Sequence, residues 1–190
     1  MTSPPAAAHS NLRSPAALLR YFGIMVVALA IDLWTKALAV THLAPPVRGL
    51  APREIEFLPG WLHFTYVENH GAVFGLGQGM RWLFLAVSVG AIVLLTWLFK
   101  SSGRARGYQV VLGMLLAGVL GNMYDRAAYG YVRDMIHAVP RWPNLFPWVF
   151  NVADSLLCVG VALSILYSLF GAQQAPERSA DASAPQSTAR

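Results

Sequence analysis

Four of the chain's five aspartates, Asp32, Asp125, Asp134 and Asp154, lie in or at the edges of apolar runs. A carboxylate in such a setting is expensive, and a functional role is its default reading. Two carboxylates brought close together cannot both ionise, so they share a proton. The ionised one can take a proton from water, and the protonated one can hydrogen-bond a scissile carbonyl. Such a pair hydrolyses a peptide bond without a metal or a nucleophilic side chain. The bland alternative is that each Asp pairs with a nearby Arg for structure. Three acids at one membrane face with few partners favour chemistry. Asp32 and Lys36 are spaced i, i+4 with the acid first, the favourable order for a helical pair, and a structural or site-orienting role is expected for them. Asp125 is expected to pair with its neighbour Arg126 or to brace the site.

The elements that must position these acids follow from composition. The 190 residues are 56% hydrophobic and 12% charged. Soluble domains carry roughly 25% charged residues, and a chain this short cannot hide so much apolar surface from water. Lipid is therefore the expected solvent. Apolar runs at 21–40, 82–99, 108–124 and 148–170 are read as four membrane helices. The net charge of +5 sits mostly in tails and connections, a pattern suited to lipid headgroups and not to nucleic acid. Lys100, Arg104 and Arg106 mark one short connection as cytoplasmic, which places both termini in the cytoplasm and the aspartate-rich ends outside.

In that frame the third helix ends at Tyr124 and the fourth begins near Trp148. Asp125 and Asp134 follow the third, and Asp154 lies about two turns into the fourth. Residues 61–67 alternate apolar and polar side chains, as a strand does. The expected fold is all-α, four transmembrane helices with a small β-sheet element in the first outer segment. Residues 18–171 form the domain. Residues 1–17 and 172–190 are low in complexity and are expected to be disordered cytoplasmic tails. Cys158, the single cysteine, lies in an apolar run without a histidine and reads as a packing residue. His70 and His137 lack the partners of a metal site, and neither metal nor other cofactor is expected.

The motifs converge on one family. Asp32-Leu-Trp-Thr-Lys36, Asn69-His-Gly71-Ala72-Val-Phe74, Gly121-Asn122-Met-Tyr-Asp125-Arg126 with Gly130-Tyr-Val132-Arg-Asp134, and Phe150-Asn151-Val-Ala153-Asp154-Ser155 occur in this order. Their order, spacing and four-span layout resemble the lipoprotein signal peptidases, also called signal peptidase II, across residues 18–171. The resemblance implies an endopeptidase that cuts prolipoproteins before a diacylglyceryl-modified cysteine, at the outer face of the bacterial cytoplasmic membrane. It implies Asp134 and Asp154 as the catalytic pair. Asp32, Lys36, Asn69, Gly71, Asn122, Asp125, Arg126 and Asn151 match its supporting positions. It also implies sensitivity to globomycin-type cyclic peptides, and a monomer is expected.

The chain departs from that pattern at Arg133, where an apolar residue is usual, and at Met135 in place of a common Phe. In an extended segment the Arg133 side chain points away from that of Asp134, so replacement by Val is expected to keep most activity. Intramembrane Asp and Lys also build ion relays in transporters, but no inverted repeat is visible. A non-catalytic assembly factor with merely paired carboxylates is the other alternative.

Overall fold

The structure, a computed structural model, describes residues 11–47, 49–71, 77–138 and 148–171. Four helices dominate it: α1 (Pro15–Leu43), α2 (Arg81–Ser101), α3 (Arg106–Ala128) and α4 (Val152–Gly171). Each is long and apolar enough to cross a membrane. Helix α1 starts earlier than its apolar run, because Ser14 caps it through a side-chain bond from the Ala17 amide and Pro15 occupies the first turn. A 3-10 turn, Asn11–Arg13, precedes it. Residues 11–17, expected in the N-terminal tail, are therefore ordered, with Asn11 and Ala17 buried. The remainder of both tails lies outside the described residues.

Helix α3 is the hub and packs against each of the other three. That is why it is the least lipid-exposed of the four. Small residues let its neighbours approach closely. A Cβ on Gly118 would stand 2.7 Å from the Ala153 carbonyl of α4, and one on Gly121 would collide with the Asp32 carboxylate of α1. At the other end Tyr21 stacks on Phe99 at 4.2 Å between ring centres, over Leu95, Leu112 and Leu116.

Four antiparallel strands form one sheet in the order β1 (Ile55–Leu58), β2 (Leu62–Asn69), β3 (Val132–Ala138), β4 (Val149–Phe150). The sheet is thus larger than the element expected in the first outer segment, since β3 and β4 come from the second. With 29 residues, α1 rises about 43 Å, more than the roughly 30 Å hydrocarbon core. Its last turns project to the sheet, where Ala39 and Leu43 pack with Tyr66 and Met135.

Candidate active site

Strand β4 fixes where α4 begins. Phe150 pairs with Ile136 and Val149 with His137, so the chain leaves the sheet beside Asp134 and turns into α4 at once. Asn151 then caps the helix. Its Oδ1 accepts from the Asp154 amide (2.9 Å), and Asp154 Oδ2 accepts from the Asn151 amide (3.2 Å). This is a reciprocal capping box, with a carboxylate at the positive end of the helix. Asp154 accordingly lies in the first turn of α4. The two-turn depth expected from a start near Trp148 is corrected, because Val149 and Phe150 belong to a strand.

The same asparagine reaches the other acid. Asn151 Nδ2 donates to Asp134 Oδ1 at 2.7 Å and contacts Asn122 Oδ1 at 3.2 Å. Asn69, at the end of β2, donates to Asp134 Oδ2 at 3.0 Å. Asn122 of α3 donates to Asp154 Oδ1 at 2.7 Å. Three asparagines thus hold two carboxylates. Asp134 is 1% exposed and Asp154 half-buried. Burial first, then the charge of Asp154, pushes the Asp134 carboxyl up to about 7, against the pull of Asn69 and Asn151.

A buried charge cluster backs this pair. Lys36 Nζ lies 2.8 Å from Asp32 Oδ2 and 3.4 Å from Asp125 Oδ2, and it donates to Asn122 Oδ1 at 3.1 Å. The i, i+4 pair expected within α1 therefore forms. Lys36 also orients the Asn122 amide, since a cation on Oδ1 leaves Nδ2 to face Asp154. Asp32 Oδ1 accepts the Ala153 amide of α4 at 2.8 Å, tying α1 to α4 one residue before Asp154.

Asp125 pairs with Arg133 and not with Arg126. Gly130, at φ 87°, ends α3 in the left-handed conformation that favours glycine and returns the chain as β3. Arg133 consequently faces the last turns of α3. Its Nη2 and Nε donate to Asp125 Oδ1 at 2.6 and 3.2 Å, and its amide donates to Oδ2 at 3.0 Å. Its guanidinium also lies 4.5 Å from the centre of the Tyr129 ring. Arg126 instead donates to the Gly71 carbonyl at 3.0 Å, while the Gly71 amide donates to Asn69 Oδ1 at 3.0 Å. The Asn69 side chain is thereby oriented toward Asp134. Ala72 to Phe74 of that motif lie outside the described residues.

Arg133 does point away from Asp134, but its side chain is engaged with Asp125, so the cost of Val here falls on stability. Arg133 is only 6% exposed. Arg133→Val leaves Asp125 with a backbone amide and a shared lysine, and is expected to cost about 2–3 kcal/mol of stability. Thermal unfolding in detergent measures it. A midpoint within a degree of the parent would contradict the clamp. Among the described residues no group of three or more His, Cys, Asp or Glu is placed to hold a metal ion.

Bilayer-length helices are thus closed at one end by a sheet, where one asparagine bridges two carboxylates. The family model described as signal peptidase (SPase) II matches residues 24–170, and the chain belongs to that family of membrane aspartic peptidases. Among curated relatives, the lipoprotein signal peptidase of Enterococcus faecalis is 35% identical over 84% of this chain and 94% of its own. That of Symbiobacterium thermophilum is 37% identical over 76% of this chain and 90% of its own. A solved structure described as a bacterial membrane enzyme superimposes with a TM-score of 0.74 at 28% identity, covering 88% of this chain and 95% of that one.

Proposed function

We propose that this peptidase removes the signal peptide of lipoprotein precursors by cutting before a diacylglyceryl-modified cysteine, with Asp134 and Asp154 as its catalytic pair. The observation that carries the assignment is Asn151, which bonds both carboxylates at once. Asp134, the more buried, keeps the shared proton and donates it to the scissile carbonyl oxygen. Asp154 takes a proton from water, whose oxygen then attacks the carbonyl carbon. The tetrahedral intermediate collapses as the leaving nitrogen receives a proton from the pair. Lys36, Asp32, Asp125 and Arg126 position the asparagines that hold these acids. Purified protein incubated with a diacylglyceryl-modified precursor should yield the shorter product, and the unmodified precursor should not. Equal cutting of both would sink the lipid requirement. Globomycin added to the same reaction should block cleavage.

The protein is multi-pass, and the membrane we propose is the bacterial cytoplasmic one, with the pair near the outer face and both termini inside. The connection between α2 and α3 supports this, with Lys100, Arg104 and Arg106 and no acid. Reporter fusions should be active at either terminus only in cytoplasmic form. A periplasm-active terminal fusion would reverse the orientation.

The pH profile tests which acid carries the proton. With Asp134 up at about 7, the pair loses its acid as pH rises through that value. The kcat/KM profile should therefore fall about tenfold per pH unit on its alkaline side. Asn69→Ala removes a hydrogen bond that favours the ionised form, which raises the Asp134 value further. The alkaline limb should move to higher pH. A limb that moves to lower pH, or stays fixed, would contradict the assignment of the proton to Asp134.

A further inference from the structure

At the membrane face opposite the aspartates, a cavity of about 260 Å³ is lined by Arg20, Arg104 and Arg106, together with Asn11, Ser14 and Gly103. Helix α3, with 23 residues and about 34 Å of rise, separates it from the site described above. Two buried amides, Asn11 in the lining and Gln109 behind it, hold its walls in place. Asn11 Nδ2 donates to the Phe99 carbonyl and the Ser102 hydroxyl, at 3.1 and 2.8 Å, which pins the start of the chain to the end of α2. Gln109, 1% exposed, accepts from Arg20 Nε at 2.8 Å and donates to the Gly103 carbonyl at 2.9 Å. Arg20 is thereby aimed, and among the described residues its Nη groups make no side-chain hydrogen bond or ion pair.

Charge is the unbalanced quantity here. At the other end of the molecule each buried cation, Lys36 and Arg133, lies against a carboxylate. Around this cavity none of the three arginines has an ion pair among the described residues. The first turn of α3 adds to the positive potential, because its cap, Ala105, supplies no side-chain bond. Three guanidinium groups sharing one cavity repel one another unless an anion lies between them. Guanidinium forks and a helix N-terminus are both suited to phosphate oxygens. The volume equals that of about eight or nine liquid waters, enough for a phosphodiester group.

We propose that this cavity binds the phosphodiester headgroup of an anionic phospholipid in the leaflet at that face. The lipid, and not free phosphate, is favoured by what lies beside it. Leu12, Leu19 and Phe22 are 46%, 75% and 43% exposed, on the turn and helix that carry Arg20. They make the same turn and helix a lipid-facing surface, so a lipid headgroup is at hand at this membrane face where free phosphate is not.

The test uses the full chain in neutral detergent, with binding read by native mass spectrometry and by thermal unfolding. Wild-type protein should retain one phosphatidylglycerol at least tenfold more tightly than phosphatidylcholine. It should also unfold at a higher temperature in the presence of phosphatidylglycerol. Arg104 and Arg106 are exposed and Lys100 keeps the connection basic without an acid, so Arg104→Gln/Arg106→Gln should insert in the same orientation, as terminal reporter fusions will check, and fold normally. That variant should lose about tenfold in phosphatidylglycerol affinity and the thermal shift, while keeping peptidase activity in detergent. Equal affinity for the two lipids, or an unchanged double variant, would overturn the proposal. So would inorganic phosphate that competes at the concentration of the lipid, which would assign the cavity to the free anion. A cavity already filled by tail carboxylates such as Glu177 or Asp181 would show no lipid preference, with the same consequence.

Discussion

Asp134→Asn and Asp154→Asn are each expected to lower cleavage of a diacylglyceryl-modified precursor by about 10²–10⁴-fold, the usual value of a positioned general acid or base. Asparagine keeps the size of the side chain but cannot accept and return the proton. Because the two acids work as one unit, the double variant should be hardly slower than either single one. The structural side effects can be measured, and Asp154, which accepts from Asn122 Nδ2 and the Asn151 amide, meets the same one as Asp134. Asp134 accepts from two amides, Asn69 and Asn151, so an amide group there sets a donor against a donor and costs about 1 kcal/mol. Asp134 carries the proton, so its variant removes no charge, whereas Asp154→Asn removes one, which offsets part of its own cost. Both variants should thus fold, as monodispersity and thermal midpoint will show. Near-normal turnover by either well-folded single variant would remove it from the pair. Asp125→Asn is the informative comparison, since that carboxylate holds Arg133 and Lys36. It should lose more stability and less turnover. A loss of turnover as large as that of Asp134→Asn, at unchanged stability, would move the assignment to Asp125.

The acids were legible in the sequence because a carboxylate in an apolar run has few bland explanations. The four membrane helices were legible because the period and length of an apolar run are local properties. The start of α4 was not. Trp148, Val149 and Phe150 are apolar and aromatic, which suits a helix end and a strand equally, and two residues are too few to show alternation. Pairing with β3, a nonlocal event, decided it. A local signal was nonetheless present: Asn151 and Asp154 have the spacing of a capping box, which marks a helix start at Val152. The identical spacing at Asn122 and Asp125 lies inside α3, so the pattern alone is ambiguous.

Arg133 shows a different limit. Alternation along β3 told that its side chain and that of Asp134 lie on opposite faces. It could not tell what the other face meets. The answer depends on Gly130, whose backbone folds β3 back against the end of the helix it has just left, where Asp125 waits. Adjacent Arg126 was the nearer partner in sequence, yet as the residue after Asp125 on a helix it faces another direction. It serves the Gly71 carbonyl instead.

Lys36→Met is expected to have the largest effect on stability. The Lys36 side chain is fully buried between two carboxylates. Without it Asp32 keeps only the Ala153 amide, on Oδ1, and faces Gly121 with its other oxygen. Removing one partner of a buried ion pair typically costs about 3–5 kcal/mol, because the other charge is stranded. Turnover should fall as well, since the Asn122 amide loses the cation that fixes which of its ends meets Asp154. A second substitution separates these two effects. Asp32→Asn retains an oxygen for the Ala153 amide and removes the stranded charge, so Lys36→Met/Asp32→Asn should recover much of the lost stability. It restores nothing to Asn122, so turnover should stay low. The cycle of single and double variants, read by thermal unfolding and by cleavage rate on the same preparations, gives a coupling energy for each property. Strong coupling in stability with little in turnover is the expected result. If the double variant recovered turnover along with stability, Lys36 would act only as a counter-charge, and the orientation of Asn122 would have to come from Asn151 alone.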